Sequence, residues 1–344
     1  MKRLARRALA ALAVGTRLWP LVPRGQAAVL RYHRVAPSGA RPLPLAVPER
    51  EFAAQLRFLR SRCRVVGARE VAEAVVEERR LPPRAVAITF DDGYADNASV
   101  ALPLLRRYGL PATFFVTTGW VGTERLQWWD RLHQHVAQAA ASGYPPAGHE
   151  ELPRPVADAL GAARLGTPGA GPALERSLVA ALRGLELSPE ELDRTLERIA
   201  AALGVDEPEP QDYLPMSWDQ VRELRDGGME VGSHTVSHAC LTAVPAQRAH
   251  EELSDSKAAL ERELGEPVAL LAYPAGDYDQ DVADLAVEAG YQAAFTTTAG
   301  AVAAGDHAFG LRRIGVWAGG YRGAVARFAP SVFGLQIGRL ARRA

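Results

Sequence analysis

Short apolar runs rich in β-branched and aromatic residues alternate with helical patterns along this 344-residue chain. Strands that alternate with helices are typical of parallel βαβ units, and about eight such strands favour a closed sheet over an open one. We therefore predict an α/β fold, an irregular (β/α) barrel of about seven to eight parallel strands. The strand-like runs cover residues 27–33, 64–67, 85–90, 112–117, 229–234, 268–273, 293–298 and 311–316.

Residues 124–212 interrupt this alternation, because they hold helical patterns but no convincing strand. One of these patterns begins with Ser188, a good N-cap, followed by Pro189 at the first helical position. Spacers rich in Ala, Gly and Pro separate the helical pieces. We predict a helical insertion of about residues 124–212 within a barrel that spans residues 26–344.

The formal charge of the chain is zero, but it is unevenly distributed. Residues 1–34 carry eight Lys and Arg and no acid, and residues 307–344 carry seven and no acid. Residues 35–306 therefore hold 25 basic and 40 acidic residues, a net charge of −15. Basic ends attract anionic surfaces. We predict peripheral membrane contact through the basic termini, and we expect no nucleic-acid partner.

Residues 1–25 are interpreted as a basic amphipathic segment whose apolar face lies on a membrane surface. A weak export signal or a frayed basic terminus explains the same pattern equally well. The two cysteines, Cys63 and Cys240, leave the redox compartment open, and neither belongs to a Cys-x-x-Cys pair. We favour a location in the cell envelope or at a membrane, and the cytoplasmic face stays an open alternative.

The stretch AVAITFDDGYADN, residues 85–97, ends an apolar strand in two adjacent aspartates and a glycine. Side chains alternate along a strand, so Asp91 and Asp92 can converge only where the strand ends, and Gly93 permits a sharp turn there. Two carboxylates held together repel unless a cation or a metal lies between them. Asp-Asp-Gly is also ordinary turn chemistry, so the motif alone leaves both interpretations open.

A second motif, GSHTVSH, covers residues 232–238 and directly follows another predicted strand. His234 and His238 are four residues apart, a spacing that lets both rings bind one metal ion. Zinc proteases with this spacing carry Glu after the first His, but Thr235 stands here, so a protease lacks its general base. The aspartate pair supplies a third ligand and a base. Both motifs follow strand C-terminal ends, where α/β barrels gather their active sites.

The combination of TFDDG, the His-Thr-x-x-His motif after a strand, and the Tyr-Pro-x-Gly turn of LAYPAGDYD resembles the polysaccharide deacetylases of carbohydrate esterase family 4. The resemblance covers roughly residues 27–123 and 213–316. It implies a deacetylase-type barrel that holds one divalent metal ion, with zinc as the default. It also implies hydrolysis of N-acetyl groups on the amino sugars of a glycan, with release of acetate.

The resemblance further implies roles for individual residues. Asp91 matches the catalytic base, and Asp92, His234 and His238 match the three metal ligands. Ala275 matches the turn residue whose backbone N–H stabilises the oxyanion of the tetrahedral intermediate.

The chain departs from the family pattern in two places. Ala272 stands where the family has the arginine that holds the base, and we predict that Arg313 on the 311–316 strand replaces it. The family's usual histidine near the C-terminus has no match. However, VLRYHRV resembles members with a permuted motif order, including poly-N-acetylglucosamine deacetylases, and this implies that His33 is the general acid. A structural histidine at a strand end is the alternative for His33.

Other functions remain open on the same scaffold. It could hydrolyse an O-acetyl ester or a non-sugar amide, or it could be a degenerate carbohydrate-binding barrel. Trp128 and Trp129 suit a sugar platform, although we favour a core role for this aromatic pair. Four further histidines have no partner motif and are interpreted as ordinary: His133, His135, His149 and His250.

Overall fold

The computed structural model describes most of the chain, and its contacts divide the chain into two compact units. The first unit comprises Met1–Thr123 and Pro215–Ala344, and the second comprises Glu124–Leu214. The described residues are 22–39, 45–143, 151–163, 165, 167, 169–185, 187–208, 214–317 and 329–342.

A curled and mostly parallel sheet is the framework of the first unit. Its strands run in the order β10-β1-β5-β6-β7-β8-β9, with β4 beside β5 and β11 beside β1, while β2 and β3 form a separate pair. Only β10 runs antiparallel to its neighbour among the described strands. The strands are β1 (Gln26–Tyr32), β2 (Arg34–Ala36), β3 (Ala46–Pro48), β4 (Arg64–Val66), β5 (Ala85–Phe90), β6 (Thr113–Val116), β7 (Glu230–Ser233), β8 (Leu270–Ala272), β9 (Ala293–Phe295), β10 (Val302–Ala303) and β11 (Ile314–Gly315).

Residues 311–315 connect the two ends of this sheet. Leu311 forms a parallel bridge with Phe295 at the end of β9, and Ile314 pairs in register with Leu30 of β1. The sheet therefore curls back on itself into an irregular barrel, and every strand that carries a predicted site residue ends at the same rim.

The register of β1 and β5 decides which side chains face the barrel interior. Tyr32 pairs with Phe90, and their rings stack 5.3 Å apart on the outer face, where Phe52 joins them. Because side chains alternate along a strand, the neighbours of these aromatic residues face inward. Arg31 and Asp91 therefore belong to the inner face of the barrel.

Helices cover the outer face of the sheet, where the largest apolar cluster lies. A π-helical turn, Asn97–Ala101, precedes α3. The helices of the first unit are α1 (Glu49–Arg62), α2 (Ala68–Val76), α3 (Leu102–Tyr108), α8 (Trp218–Asp226), α9 (Ala246–Leu264), α10 (Gln280–Glu288) and α11 (Pro330–Leu340), and those of the second are α4 (Trp128–Ser142), α5 (Arg154–Gly161), α6 (Ala170–Arg183) and α7 (Pro189–Leu203).

The second unit contains no strand among its described residues and has a core of its own. Leu132, Leu178 and Leu196 are fully buried in that core. The side chain of Ser188 accepts a hydrogen bond from the backbone N–H of Glu191, and the side chain of Glu191 accepts one from the backbone N–H of Ser188, which completes a capping box. The unit spans nearly the same residues as the predicted insertion.

The predicted fold class is confirmed, because a curled parallel sheet surrounded by helices forms a deacetylase-type barrel. Each of the eight predicted runs contains a strand, although several strands are shorter than their runs. The prediction missed β2, β3 and β10, which are only two or three residues long. Residues 1–21 of the predicted amphipathic segment, and His149, lie outside the described residues. Among the described helices, none is both long and apolar enough to cross a bilayer.

Candidate metal and catalytic site

The aspartate pair lies where β5 ends, and the turn separates the two carboxylates. Asp91 still pairs with the sheet, since its backbone N–H donates to the carbonyl of Tyr32 at 3.0 Å. Asp92 adopts a φ of 77° and Gly93 a φ of 88°, so the chain reverses into the left-handed region at once. Both carboxylates are buried, with 2% and 3% of the residue exposed. A left-handed aspartate costs free energy, and such strain is typical of functional sites.

Asp92, His234 and His238 form the one cluster within the described residues whose ligand atoms fit a metal ion. Oδ1 of Asp92 lies 3.5 Å from Nε2 of His234 and 3.7 Å from Nε2 of His238. Ligands about 2.1 Å from a tetrahedral ion lie roughly 3.4 Å apart, so these distances suit zinc. Three protein ligands leave a position open for water or substrate, as in catalytic sites.

The backbone of Ala272 orients the first of these histidines. Nδ1 of His234 lies 2.6 Å from the carbonyl oxygen of Ala272, so Nδ1 must carry the proton. That tautomer leaves the lone pair on Nε2, the nitrogen that faces Asp92. A backbone carbonyl behind a ligand histidine is the usual outer contact at metal sites.

Glu252 on α9 holds the loop that carries the second histidine. The loop is strained, since Thr235 and His238 have φ values of 67° and 60°. The carboxylate of Glu252, which is fully buried, accepts the backbone N–H groups of Val236 and Ser237, both at 2.8 Å. It also accepts the Ser237 hydroxyl at 2.6 Å. These bonds fix the backbone between the two left-handed residues and so place His238.

Glu252→Ala is expected to weaken zinc binding by about 10–100-fold, because outer contacts of a metal site have effects of this size. Titration of the metal-free protein with Zn²⁺ measures the change. Glu251→Ala, one residue earlier on the same helix and outside the loop contacts, is the matched control. Equal zinc affinities for the two variants would contradict the positioning role of Glu252.

Arg313 reaches Asp91 from the segment just before β11, 222 residues further along the chain. Its Nη1 and Nη2 donate to the two carboxylate oxygens at 2.6 and 2.8 Å, a bidentate pair. Nε donates to the carbonyl of Thr296 at 2.9 Å, and the residue is fully buried. Burial raises the pKa of Asp91, but the charge and hydrogen bonds of Arg313, together with the charges of His234 and His33, outweigh it and hold that pKa below its ordinary value. Arg313 thus makes the contact predicted for it.

Arg313→Met is expected to move the acid limb of the kcat/KM profile to higher pH. The arginine lowers the pKa of Asp91, so its removal raises the pH below which a carboxylate base is protonated. It also leaves a buried carboxylate unpaired, which lowers the free energy of unfolding by roughly 3–5 kcal/mol. The pH profile and thermal melts test both effects, with zinc content as the check on the site. Arg312→Met is the control, and an unshifted acid limb in Arg313→Met would refute the tuning role.

His33 follows β1 on the inner face, beside the aspartate pair. The side-chain amide of Asn97 donates to the carbonyl oxygen of His33 at 2.9 Å and fixes the backbone there. Burial lowers the pKa of His33 to about 4, although the charge of Asp92 opposes this shift. The imidazole of the free protein is therefore neutral at pH 7, with its ring near both carboxylates.

Ala275 lies in the short turn Pro274–Gly276, as the motif requires, with a φ of 57°. The hydroxyl of Thr297 donates to the carbonyl oxygen of Ala275 at 2.9 Å and steadies this peptide segment. Its role as an oxyanion donor stays a prediction.

The remaining candidates belong to no metal-ligand cluster among the described residues. Trp128 packs against the core of the second unit and meets Trp129 edge to face at 5.5 Å, as a core pair does. His133 lies 3.0 Å from Glu175 within the same unit. Cys63 and Cys240 are both free cysteines.

Sequence reasoning missed Glu252 and Arg31. Glu252 looks like any acid on a polar helix, and Arg31 like any strand residue. A signal for Glu252 was its place about four helical turns before Gly265, on the apolar side of α9 beside Leu253. The signal for Arg31 was a positively charged residue on the inner side of a buried strand, two residues before His33.

The fold and the site together define an α/β barrel with a candidate metal site at its rim. A family model described as "Polysaccharide deacetylase" matches residues 78–149 and 190–294, about half of the chain. The chain belongs to the polysaccharide deacetylase family.

Individual relatives agree with this assignment. A curated protein named "Putative polysaccharide deacetylase YxkH", from Bacillus subtilis (strain 168), is 21% identical over 289 residues, or 84% of this chain and 70% of its own length. The structure of IcaB from Ammonifex degensii is similar in fold, with a TM-score of 0.57, 20% identity, and coverage of 92% of this chain and 97% of the other. The Streptococcus pyogenes deacetylase PplD in complex with acetate gives a TM-score of 0.56, 19% identity, and coverage of 91% and 97%.

These comparisons confirm the family resemblance and the prediction of a hydrolase that removes N-acetyl groups from a polysaccharide. Enzymes of this family use a divalent metal ion, and the Asp92, His234 and His238 cluster fits one.

Proposed function

We propose that this chain is a zinc-dependent N-deacetylase that releases acetate from the amino sugars of an envelope glycan. One observation carries the proposal: at a single rim of the barrel, a buried carboxylate paired to an arginine lies next to three side chains whose ligand atoms fit one metal ion. The basic ends of the chain support contact with an anionic envelope surface and hence an envelope substrate.

Asp92, His234 and His238 would hold the ion. A bound zinc ion would supply a Lewis acid that lowers the pKa of a water to roughly 7 and polarises the substrate carbonyl. The other ions that accept mixed oxygen and nitrogen ligands are alternatives to zinc.

Asp91 takes a proton from the attacking water. Because Arg313 keeps the pKa of this carboxylate low, Asp91 is ionised and ready at neutral pH. The guanidinium group of Arg313 also fixes the direction of the two Asp91 carboxylate oxygens, so the orientation of the base contributes to the rate together with its charge.

His33 delivers a proton to the departing amine. An amide nitrogen leaves poorly until it is protonated, so this step requires an acid. His33 is neutral in the free protein at pH 7, so it must receive the proton it donates within the same cycle. The proton that Asp91 removes from water is the one that this transfer needs, and the reaction then balances as acetate plus amine. The backbone N–H of Ala275 assists by stabilising the oxyanion.

The test is acetate release by zinc-loaded protein from N-acetylglucosamine oligomers and, in parallel, from O-acetylated xylo-oligomers. We expect release from the N-acetyl substrate, with a loss of about 10²–10⁴-fold in His33→Asn. The ester should depend less on His33, because an alkoxide leaves more easily than an amide anion. A preference for the ester, or amide hydrolysis that does not respond to His33→Asn, would overturn the proposal in favour of an O-acetyl esterase.

A further inference from the structure

Arg31 lies on the inner face of the barrel, next to the reactive cluster. It pairs in register with Thr89 of β5 and with Gly315 of β11. Thr89 and Asp91 alternate onto the same face of β5, as Arg31 and His33 do on β1. The Arg31 side chain therefore enters the same space as the proposed base and the proposed acid.

Within the described chain, the charge of Arg31 has no counterion of its own. Nε of Arg31 is buried and has no hydrogen-bond partner among the described residues. The nearby carboxylates already have other partners, since Asp91 accepts two hydrogen bonds from Arg313 and Asp92 faces two histidine rings. A buried donor atom that lacks a partner is costly, and such atoms are typical of binding sites.

The electrostatics of the site agree with this placement. Burial and the charge of Arg313 lower the pKa of Arg31 to about 10, although Asp91 and Asp92 raise it. The guanidinium group is still charged at neutral pH. Arg31 and Arg313 thus bring two positive charges to the inner face, beside the carboxylates of Asp91 and Asp92.

An aromatic ring lies next to this cation. A Cβ atom on Gly315 would lie 3.3 Å from Nη2 of Arg31 and 2.9 Å from Cζ3 of Trp317. Both groups thus flank one glycine, and any larger residue there would displace one of them. Trp317 is 50% exposed, so part of its ring is accessible to a ligand. Flat aromatic faces are good platforms for sugar rings.

We propose that Arg31 and Trp317 form a subsite for an acidic amino-sugar glycan, in which a sugar ring lies on Trp317 and its carboxylate or phosphate substituent binds Arg31. This inference rests on the proposed deacetylase function and narrows its substrate class. Arginine is suited to both anions, because its planar fork donates two parallel hydrogen bonds to either.

A different role for Arg31 would be general stabilisation of the negative charge that develops during hydrolysis. That role predicts the same loss of rate for neutral and acidic substrates, because the developing charge is common to both. An anion subsite predicts a loss confined to the acidic ones. The ratio of kcat/KM for an acidic substrate to kcat/KM for a neutral substrate therefore distinguishes the two roles.

The experiment compares kcat/KM of the zinc-loaded enzyme for three substrates: methyl N-acetylglucosaminide, its 6-phosphate, and the methyl glycoside of N-acetylmuramic acid, which carries a carboxylate. We expect at least one acidic substrate to exceed the neutral one by about tenfold or more. In Arg31→Gln that ratio should fall to near one, and Trp317→Ala should weaken all three substrates. Preference for the phosphate or the carboxylate identifies the anion.

Arg60→Gln, which removes an exposed charge at the end of α1, controls for long-range steering and should keep the ratio. Zinc content and melting temperature show whether Arg31→Gln is folded, and Arg31→Lys should retain part of the preference. A neutral substrate as good as both acidic ones, or a preference that survives Arg31→Gln, would overturn the subsite.

A binding measurement tests the subsite independently of catalytic activity. Glucosamine 6-phosphate and muramic acid should bind the zinc-loaded protein more tightly than glucosamine, and Arg31→Gln should remove the difference. Anion binding directly to zinc would persist in Arg31→Gln, and that result counts against the subsite. Loss of acetate release from every substrate, with this binding difference intact, would overturn the proposed activity and leave the subsite standing.

Discussion

Asp91→Asn is expected to lower kcat for acetate release by about 10²–10⁴-fold, the range typical of a lost general base. The amide keeps the size of the carboxylate but cannot accept the proton of the attacking water. Zinc binding should persist, since Asp91 is not one of the three residues of the candidate ligand cluster. Steady-state kinetics together with zinc analysis of the purified variant measure both properties.

The variant also breaks a buried ion pair, so its fold must be followed separately. Asp91 and Arg313 are 2% and 0% exposed, and removal of one charge leaves the other without its partner. A drop in melting temperature is therefore expected, and kinetics should be measured well below the new midpoint. An Asp91→Asn enzyme that binds zinc and keeps more than a tenth of the wild-type kcat would exclude Asp91 as the base.

Removal of the metal is the second change with a large expected effect. Dialysis against a strong chelator should abolish acetate release, and added Zn²⁺ should restore it. Metal that binds only the folded state raises stability by about 4 kcal/mol at a concentration of 1,000 times Kd, so the melting temperature should rise when zinc is added. Calorimetry and acetate-release assays on the same samples show whether stability and activity depend on the same metal ion.

His234→Ala gives the matching genetic test. Loss of a direct ligand is expected to reduce zinc affinity by more than the 10–100-fold typical of an outer contact. His250→Ala, a histidine on α9 outside the cluster, is the control and should bind one ion per chain with unchanged affinity. Wild-type activity that survives chelation, or zinc affinity that is equal in His234→Ala and His250→Ala, would refute the metal site.

The sequence predicted most of the sheet, because a strand buried in a parallel sheet shows itself as a short apolar run. The 85–90 run is β5 to the residue, and the turn after it was read from Gly93 alone. The residues of the candidate metal cluster were also predicted to lie together, since Asp92, His234 and His238 stand in compact motifs that follow strands. The C-terminal ends of parallel strands meet at one rim whatever the loops between them do, so the sequence order of these motifs was enough.

The local sequence therefore determined the strands, the turn after β5 and the three ligand positions, because each depends on residues within a few positions of one another. Tertiary structure alone decided how the base is held and what surrounds it. Arg313 could be suspected as a stand-in for the arginine missing at Ala272, but only closure of the barrel brings it onto Asp91. The local signals of Glu252 and Arg31 did not reveal their roles. Their importance comes from burial next to groups far away in the chain, and burial is a property of the packed barrel.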